Sequence, residues 1–356
     1  RVMLAAANKQ DFDIDQSDVS NAYLHADLKE IIYLRQPDGY KDGTGRVLLL
    51  RKPLYGLKQS GMLWNVRLTK TIQNYGGIQS LNDPCLFTIR DSNGEIEIMI
   101  ATHVDDLVQA GRGEEITKFQ QKLDEHFKVV HEGELKYILG MEVKRDYKEN
   151  TLGVVQRKYS LDVVSKFGME ACNPKNTPLP GGFKLAARAE DDEEESEAPY
   201  RQVVGSVMYL ATCTRPDLAY AMCVLTRRFD SPTPATWAAA KMVMKYVRGT
   251  YNTGLIYQRN ASDQIEAFVD SDWGGDEETR KSTTGYVVMF CGNPISWRAG
   301  LQKSVSTSST EAEYIALCEC AKEVVYLRRI VEECGCKQIG PTLIHVDNEA
   351  AVKLAH

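Results

Sequence analysis

The chain has 356 residues, 43% apolar and 26% charged, and a formal net charge of −6, which makes room for two or three domains with sizeable cores in an ordinary globular composition. No run approaches the roughly 18 to 20 continuous apolar residues of a membrane helix, and the N-terminus has no charged-then-apolar leader, so neither a membrane partner nor a targeting segment is read. The first residue is Arg1 and residues 352–356 stop inside an apolar-periodic stretch, so both ends are expected to be cut from a longer protein.

In chain order, residues 31–34 and 46–50 read as short strands. Residues 61–75 then carry helical apolar spacing at Leu63, Val66, Ile72 and Tyr75. Strands are expected at 84–90 and 95–103, and a helix over 114–127 through Ile116, Phe119, Leu123 and Phe127. Residues 173–199 hold five prolines and glycines before an acidic run at 190–197, a composition that cannot bury a core and reads as a solvated linker. A helical block follows, with one apolar face through Val203, Val207 and Leu210 and a second helix from Thr233 to Val247, with Pro234 at its start and Gly249 as its stop. The last block reads as strands at 265–269, 285–291, 294–298 and 302–306, a long helix from Thr310 to Cys334, a strand at 342–346 and a final helix. Strands and helices in that order suggest helices packed on a mixed sheet.

Nine scattered cysteines, two pairs of them spaced Cys-x-Cys, do not have zinc-ligand spacing, and the expectation is reduced, buried thiols. The negative total charge conceals a basic block. The run at 190–197 holds seven acidic side chains, so the remainder nets +1, and residues 201–250 net +5. Screening limits a charge's reach to roughly 8–10 Å, so the local balance decides. Arg227, Arg228, Lys241, Lys245 and Arg248 are the candidate contacts to a nucleic-acid backbone; the last three follow i, i+4, i+7 and form a helical stripe.

Two acidic constellations carry the chemistry. Asp105 and Asp106 interrupt a strand-like run, IMIATHVDDLV at 98–108. Adjacent carboxylates repel unless a cation neutralises them, and oxygen-only ligands suit Mg²⁺ or Mn²⁺. Asp18 is the candidate third carboxylate. In the last block, Asp270 ends one strand, Glu313 opens the long helix and Asp347 ends another strand, so they can converge at one sheet edge. Asp272 is a second candidate there, and Glu311 reads as a first-turn residue favouring the helix N-terminus.

The segments Asp18-Val19-Ser20-Asn21-Ala22-Tyr23-Leu24, Leu54-Tyr55-Gly56-Leu57-Lys58-Gln59-Ser60, His103-Val104-Asp105-Asp106 and Leu139-Gly140-Met141-Glu142 occur in the order of successive motifs that resemble copia-type LTR-retrotransposon reverse transcriptases. The resemblance implies an α+β chain: a right-hand polymerase palm with truncated fingers over 1–178, an acidic linker over 179–199, a helical thumb-like block over 200–252, and a C-terminally truncated ribonuclease H-like α/β domain over 256–356. It implies two metal ions per active site, with Asp18 and Asp105 bridging and Asp106 supporting. Tyr23 would pack under the nucleotide sugar, Gly56, Lys58 and Gln59 would lie near the incoming nucleotide, and His103, Leu139 and Gly140 would contact the primer.

The last block, with Arg280-Lys281-Ser282-Thr283-Thr284-Gly285-Tyr286, is similar to the ribonuclease H fold joined to those polymerases, which implies a second two-metal site on Asp270, Glu313 and Asp347. His103 stands where the family has Tyr, and Met62 where it commonly has Arg. The family's fingers segment and its fourth ribonuclease H carboxylate fall outside the sequence. The function implied is RNA-directed DNA synthesis with hydrolysis of the RNA strand of a hybrid. The partners implied are an RNA template, a DNA primer, dNTPs, the hybrid, and the protease and integrase of the same Pol polyprotein, in a cytoplasmic virus-like particle. The alternative is a degenerate fragment that only binds nucleic acid.

Overall fold

A computed structural model describes residues 1–185 and 198–355. The chain divides into two compact units. One comprises Asp11–Leu135 with Glu333–Gly335, and the other comprises Arg1–Gln10, Lys136–Glu332 and Cys336–His356. Both mix helix and strand.

Helix α1 (Val2–Lys9) opens the chain and packs on the strands Thr151–Val155 and Gly254–Gln258 of the unit that holds residues 136–332. In the other unit follow β1 (Asp13–Val19), a 3₁₀ turn (Ala22–His25), β2 (Tyr33–Arg35), β3 (Val47–Leu49), α2 (Ser60–Asn74), β4 (Ile78–Gln79), β5 (Leu86–Arg90), β6 (Ile96–His103), β7 (Asp106–Gly111), α3 (Gly113–Asp124) and β8 (Val129–Glu134). Six strands form one sheet in the order β4-β5-β6-β7-β1-β8, while β2 and β3 pair separately. Trp64, Leu68 and Ile72 of α2 and Phe119 and Leu123 of α3 recur at i, i+4 spacing. They bury one stripe of each helix against Phe87, Ile98, Ile100 and Leu107 of the sheet. The opposite stripe of α3 is polar, whereas that of α2 leaves Met62 and Val66 exposed, so of the apolar positions expected to face inward on α2 Ile72 is buried and Val66 is not.

The second unit continues with β9 (Tyr137–Ile138), β10 (Met141–Asp146), β11 (Thr151–Val155) and α4 (Arg157–Lys166), then α5 (Tyr200–Cys213), α6 (Ala219–Leu225), α7 (Pro234–Gly249) and β12 (Gly254–Gln258). Its first sheet runs β12-β11-β10-β9. Helices α4 to α7 share an apolar core built from Val164, Val203, Val207, Leu225, Val243 and Met244. Thr233 caps α7 in a reciprocal capping box with Thr236, with Pro234 at the first turn.

The last elements are β13 (Glu266–Ser271), β14 (Thr283–Phe290), β15 (Asn293–Leu301), α8 (Ser309–Glu333), β16 (Leu343–His345) and α9 (Glu349–Ala355). They form a mixed sheet, β15-β14-β13-β16, in which β13 and β16 run parallel and the rest antiparallel.

The helix and strand expectations hold to within a few residues, with one correction. No separate strand forms at 302–306. The amide of Gln302 is buried and donates to Thr284 Oγ1 and to the Ala312 carbonyl, which turns the chain into α8 instead of along the sheet. The thiols also need correcting. Cys291, Cys320, Cys334 and Cys336 are buried, but Cys85 and Cys318 are exposed. Cys318 takes the outer side of α8 because residues two apart on a helix point in different directions. The acidic run at 190–197 lies outside the described residues. Among the described residues no helix is long and apolar enough to cross a membrane.

Candidate functional site

Strands β6 and β7 pair antiparallel with His103 opposite Asp106, so only Val104 and Asp105 make the connection. Two-residue hairpins need positive φ to match strand twist, and Val104 supplies it at φ 57°. A β-branched residue in that region is strained. The turn is held from below by Trp64, whose indole N–H donates to the Val104 carbonyl. β1 pairs with the other edge of β7 and sets Asp18 directly opposite Asp106. The Val19 amide donates to the Asp105 carbonyl at 2.9 Å. Register alone therefore delivers three carboxylates to one end of the sheet. They are half-buried, not fully buried.

The electrostatics follow. Partial burial, then the charges of Asp105 and Asp106, push the Asp18 carboxyl above the ordinary range. Two neighbouring side chains hold the aspartates asymmetrically. The Tyr55 hydroxyl donates to Asp105 Oδ2 at 3.2 Å, and its ring lies 4.3 Å from that of Tyr23, centroid to centroid. Burial and the Asp105 charge push the Tyr55 phenol up. The buried Gln16 amide donates to Asp106 Oδ1 at 3.2 Å.

The remaining residues expected here are divided between the two units. Tyr23 sits on the 3₁₀ turn and lines, with Trp64 and His103, a cavity of about 210 Å³. Gly56 takes φ 98° in the exposed loop before α2, where a side chain would be strained. Lys58 is exposed and Gln59 is half-buried at the start of α2. Leu139 and Gly140 belong to the other unit, where they form the two-residue turn joining β9 to β10 with φ 47° and 71°. The Tyr209 hydroxyl donates to the Leu139 carbonyl and holds that turn against α5.

In the second unit, Asp270, Glu313 and Asp347 bring one ligand oxygen each to within 4.8 Å of one another, and among the described residues they form the only such group of three. The parallel pairing of β13 with β16 brings Asp270 and Asp347 to the same sheet end, and the first turns of α8 deliver Glu313. Glu313 is 5% exposed. One of its oxygens accepts from the Ser271 amide at 3.1 Å, and the other is buried without a hydrogen-bond partner. Burial foremost, with Asp270 and Asp347 adding to it, pushes this carboxyl up against the pull of Ser271. An orphaned carboxylate oxygen between two other carboxylates is the environment a divalent cation satisfies.

Asp272 is engaged otherwise, since it accepts from the Thr283 amide and fixes the loop after β13. Glu311 accepts from Thr307 while its own amide donates to Ser308 Oγ at 3.1 Å, closing the start of α8. The hydrogen bonds from Thr307 hold the Glu311 carboxyl below the ordinary range.

Among the basic residues a correction is needed. Arg227 and Arg228 do not offer free charge to a phosphate backbone. Arg227 is mostly buried and pairs with Asp276 at 2.8 Å, also donating to Thr283 Oγ1. Arg228 pairs with Glu278 at 2.7 Å. Both lash the helical block to the 276–283 loop. Lys241 is exposed on α7, while Lys245 and Arg248 are half-buried, and Arg248 Nε donates to the Glu170 carbonyl at 3.2 Å. The contacts of Gln16 and Tyr55 were not read from the sequence. Their signal was position: Gln16 is two residues before Asp18 on the same strand face, and Tyr55 lies inside the 54–60 motif.

The family model described as reverse transcriptase (RNA-dependent DNA polymerase) matches residues 1–180. The chain belongs to this family. It is 35% identical over 364 residues to the retrovirus-related Pol polyprotein from transposon TNT 1-94 of Nicotiana tabacum, covering 100% of this chain and 27% of that protein. It is 34% identical over 357 residues to each of the Pol polyproteins from transposons RE2 and RE1 of Arabidopsis thaliana, covering 99% of this chain and 24% of each. The chain thus spans about a quarter of the length of these curated relatives. The expectation of a copia-type Pol polyprotein is borne out, since the likeness runs through both units of the chain.

Proposed function

We propose that this chain is the RNA-directed DNA polymerase and hybrid-specific ribonuclease portion of a copia-type Pol polyprotein, with one two-metal site in each unit. The observation that carries the polymerase reading is the register of β1 on β7, which sets Asp18 against Asp106 beside the Asp105 turn. In this reading residues 1–178 hold the fingers remnant and the palm, 179–199 are the linker, 200–252 are a thumb-like block, and 256–356 are the ribonuclease H-like domain.

Both donor sets are all-oxygen and suit Mg²⁺ or Mn²⁺. At the first site Asp18 and Asp105 would hold the ions, with Asp106 in support. At the second, Asp270, Glu313 and Asp347 would hold them, Glu313 through its orphaned oxygen. Bound there, two such ions lower the pKa of the attacking hydroxyl or water and neutralise the leaving oxygen. The protein's own part is positioning. Tyr23 packs beneath the sugar of the incoming dNTP. Gly56, by lacking a side chain, lets the nucleotide approach the backbone between Tyr55 and Lys58. Leu139 and Gly140, on a turn fastened by Tyr209, hold the primer end. Lys241, Lys245 and Arg248 follow the phosphates of the template duplex without reading sequence. RNA template, DNA primer, dNTPs and the remaining Pol segments are the partners, with a cytoplasmic particle as the setting.

Primer extension on an RNA template with Mg²⁺ or Mn²⁺ tests the first site. The wild-type chain should extend the primer and Asp105→Asn should not; equal extension by both would sink the polymerase reading. Cleavage of a labelled RNA–DNA hybrid tests the second site independently, with Glu313→Gln as the inactive control.

A further inference from the structure

The two aspartates of the hairpin are held by different kinds of partner. Tyr55, which touches Asp105, is largely exposed on a loop. Gln16, which touches Asp106, is 8% exposed and lies within β1, between β7 and β8. Gln16 pairs across the sheet with Val108 and Asp18 with Asp106, so Gln16 and Asp106 are diagonal neighbours on one face, a separation that a long side chain spans.

A buried amide is costly without a partner, and an apolar residue would pack this strand at no such cost. Lysine or arginine at the same place would neutralise Asp106 and compete with a cation. A neutral N–H donor does neither. It fixes Asp106 Oδ1 and leaves the carboxylate its charge and its second oxygen. From this geometry we infer that Gln16 is a positioning residue, one that holds Asp106 in the orientation the metal site requires. The inference rests on the metal-site reading of Asp18, Asp105 and Asp106.

The experiment is a Mn²⁺ titration, followed by the electron paramagnetic resonance of the free ion, on the full chain carrying Glu313→Gln so that the second site is silent. The parent should bind Mn²⁺, and adding Asp105→Asn should abolish that binding. Gln16→Met keeps the volume and removes the donor. Loss of a hydrogen bond that orients a metal ligand lowers metal affinity, so affinity should fall about 10- to 100-fold. In an Asp106→Ala background, which removes the acceptor, the same Gln16→Met change should have no further effect. A merely structural Gln16 would weaken binding equally in both backgrounds, and that result overturns the proposal. Unchanged affinity in Gln16→Met overturns it too, while binding by Asp105→Asn equal to the parent overturns the metal-site reading itself. If Gln16→Met does not fold, Gln16→Leu serves: it also removes the donor without adding a charge, and must lose affinity in the same Asp106-dependent way.

Discussion

At the scale of single residues, the two metal-site candidates store unfavourable energy in the protein alone. Glu313 is the clearest case, with burial, Asp270 and Asp347 all opposing its ionised form. Its carboxyl in the fold lies above the ordinary range, so the ionised fold is destabilised at neutral pH and regains stability as pH falls through the raised value. Glu313→Gln should therefore leave the metal-free melting temperature unchanged or raised and flatten its dependence on pH over that window, while Mn²⁺ binding at the second site disappears. A marked drop in melting temperature without metal would contradict the electrostatic account. Val104 is a second strained residue, β-branched at φ 57°. Asn tolerates that conformation, so Val104→Asn should stabilise its unit by about 1 kcal/mol in denaturant titration. Neither effect can be read from composition, because each depends on which neighbours the sheet register supplies.

At the scale of elements, α7 combines a cap, a buried face and a basic face in one helix. Thr233→Ala removes the reciprocal cap and should cost about 1 kcal/mol of stability. The basic stripe makes a different prediction. Replacing Lys241, Lys245 and Arg248 by Gln should make the dependence of duplex affinity on salt shallower, by about 0.9 in log–log slope for each phosphate that these cations no longer neutralise. The same replacements at Arg227 and Arg228 should instead lower stability, because those guanidiniums are committed to Asp276 and Glu278. The sequence placed all five cations in one basic block but could not separate them. Helical spacing gives the face of a residue, whereas pairing with a loop some 50 positions away is set by tertiary packing. The hairpin tip beside β7 was more legible, since Asp105 and Asp106 interrupt an apolar run.

At the scale of the whole molecule, an interior ion pair ties helical segments together. Arg215 is 1% exposed and bonds Asp217 at 2.7 Å, and Asp217 also accepts from the Tyr246 hydroxyl. Burial alone would raise the Asp217 carboxyl, but the hydrogen bonds and charge of Arg215, with Tyr246, outweigh it and hold the group below its ordinary 3.8. The sign follows directly: this pair stabilises the fold above the ordinary value, and the contribution disappears as pH falls through the depressed one. Arg215→Met should cost about 3 kcal/mol at neutral pH, the lower end for breaking a buried pair because Asp217 is partly exposed. It should also remove that share of the acid sensitivity, which an acid-unfolding titration of both proteins would measure.

The sequence by itself indicated many of the strands and helices, the order of the family's motifs and the candidate acidic residues of both sites, because periodicity and motif spacing are local properties of the chain; α1, β1 and β8 to β12 were not legible in it. The tertiary structure decided what those residues touch. It set Asp18 against Asp106 by strand register, left one oxygen of Glu313 buried and unpartnered, committed two arginines to internal pairs, and brought Gln16 to Asp106. Those outcomes depend on distances between residues far apart in the chain, and only the folded sheet and its helices fix them.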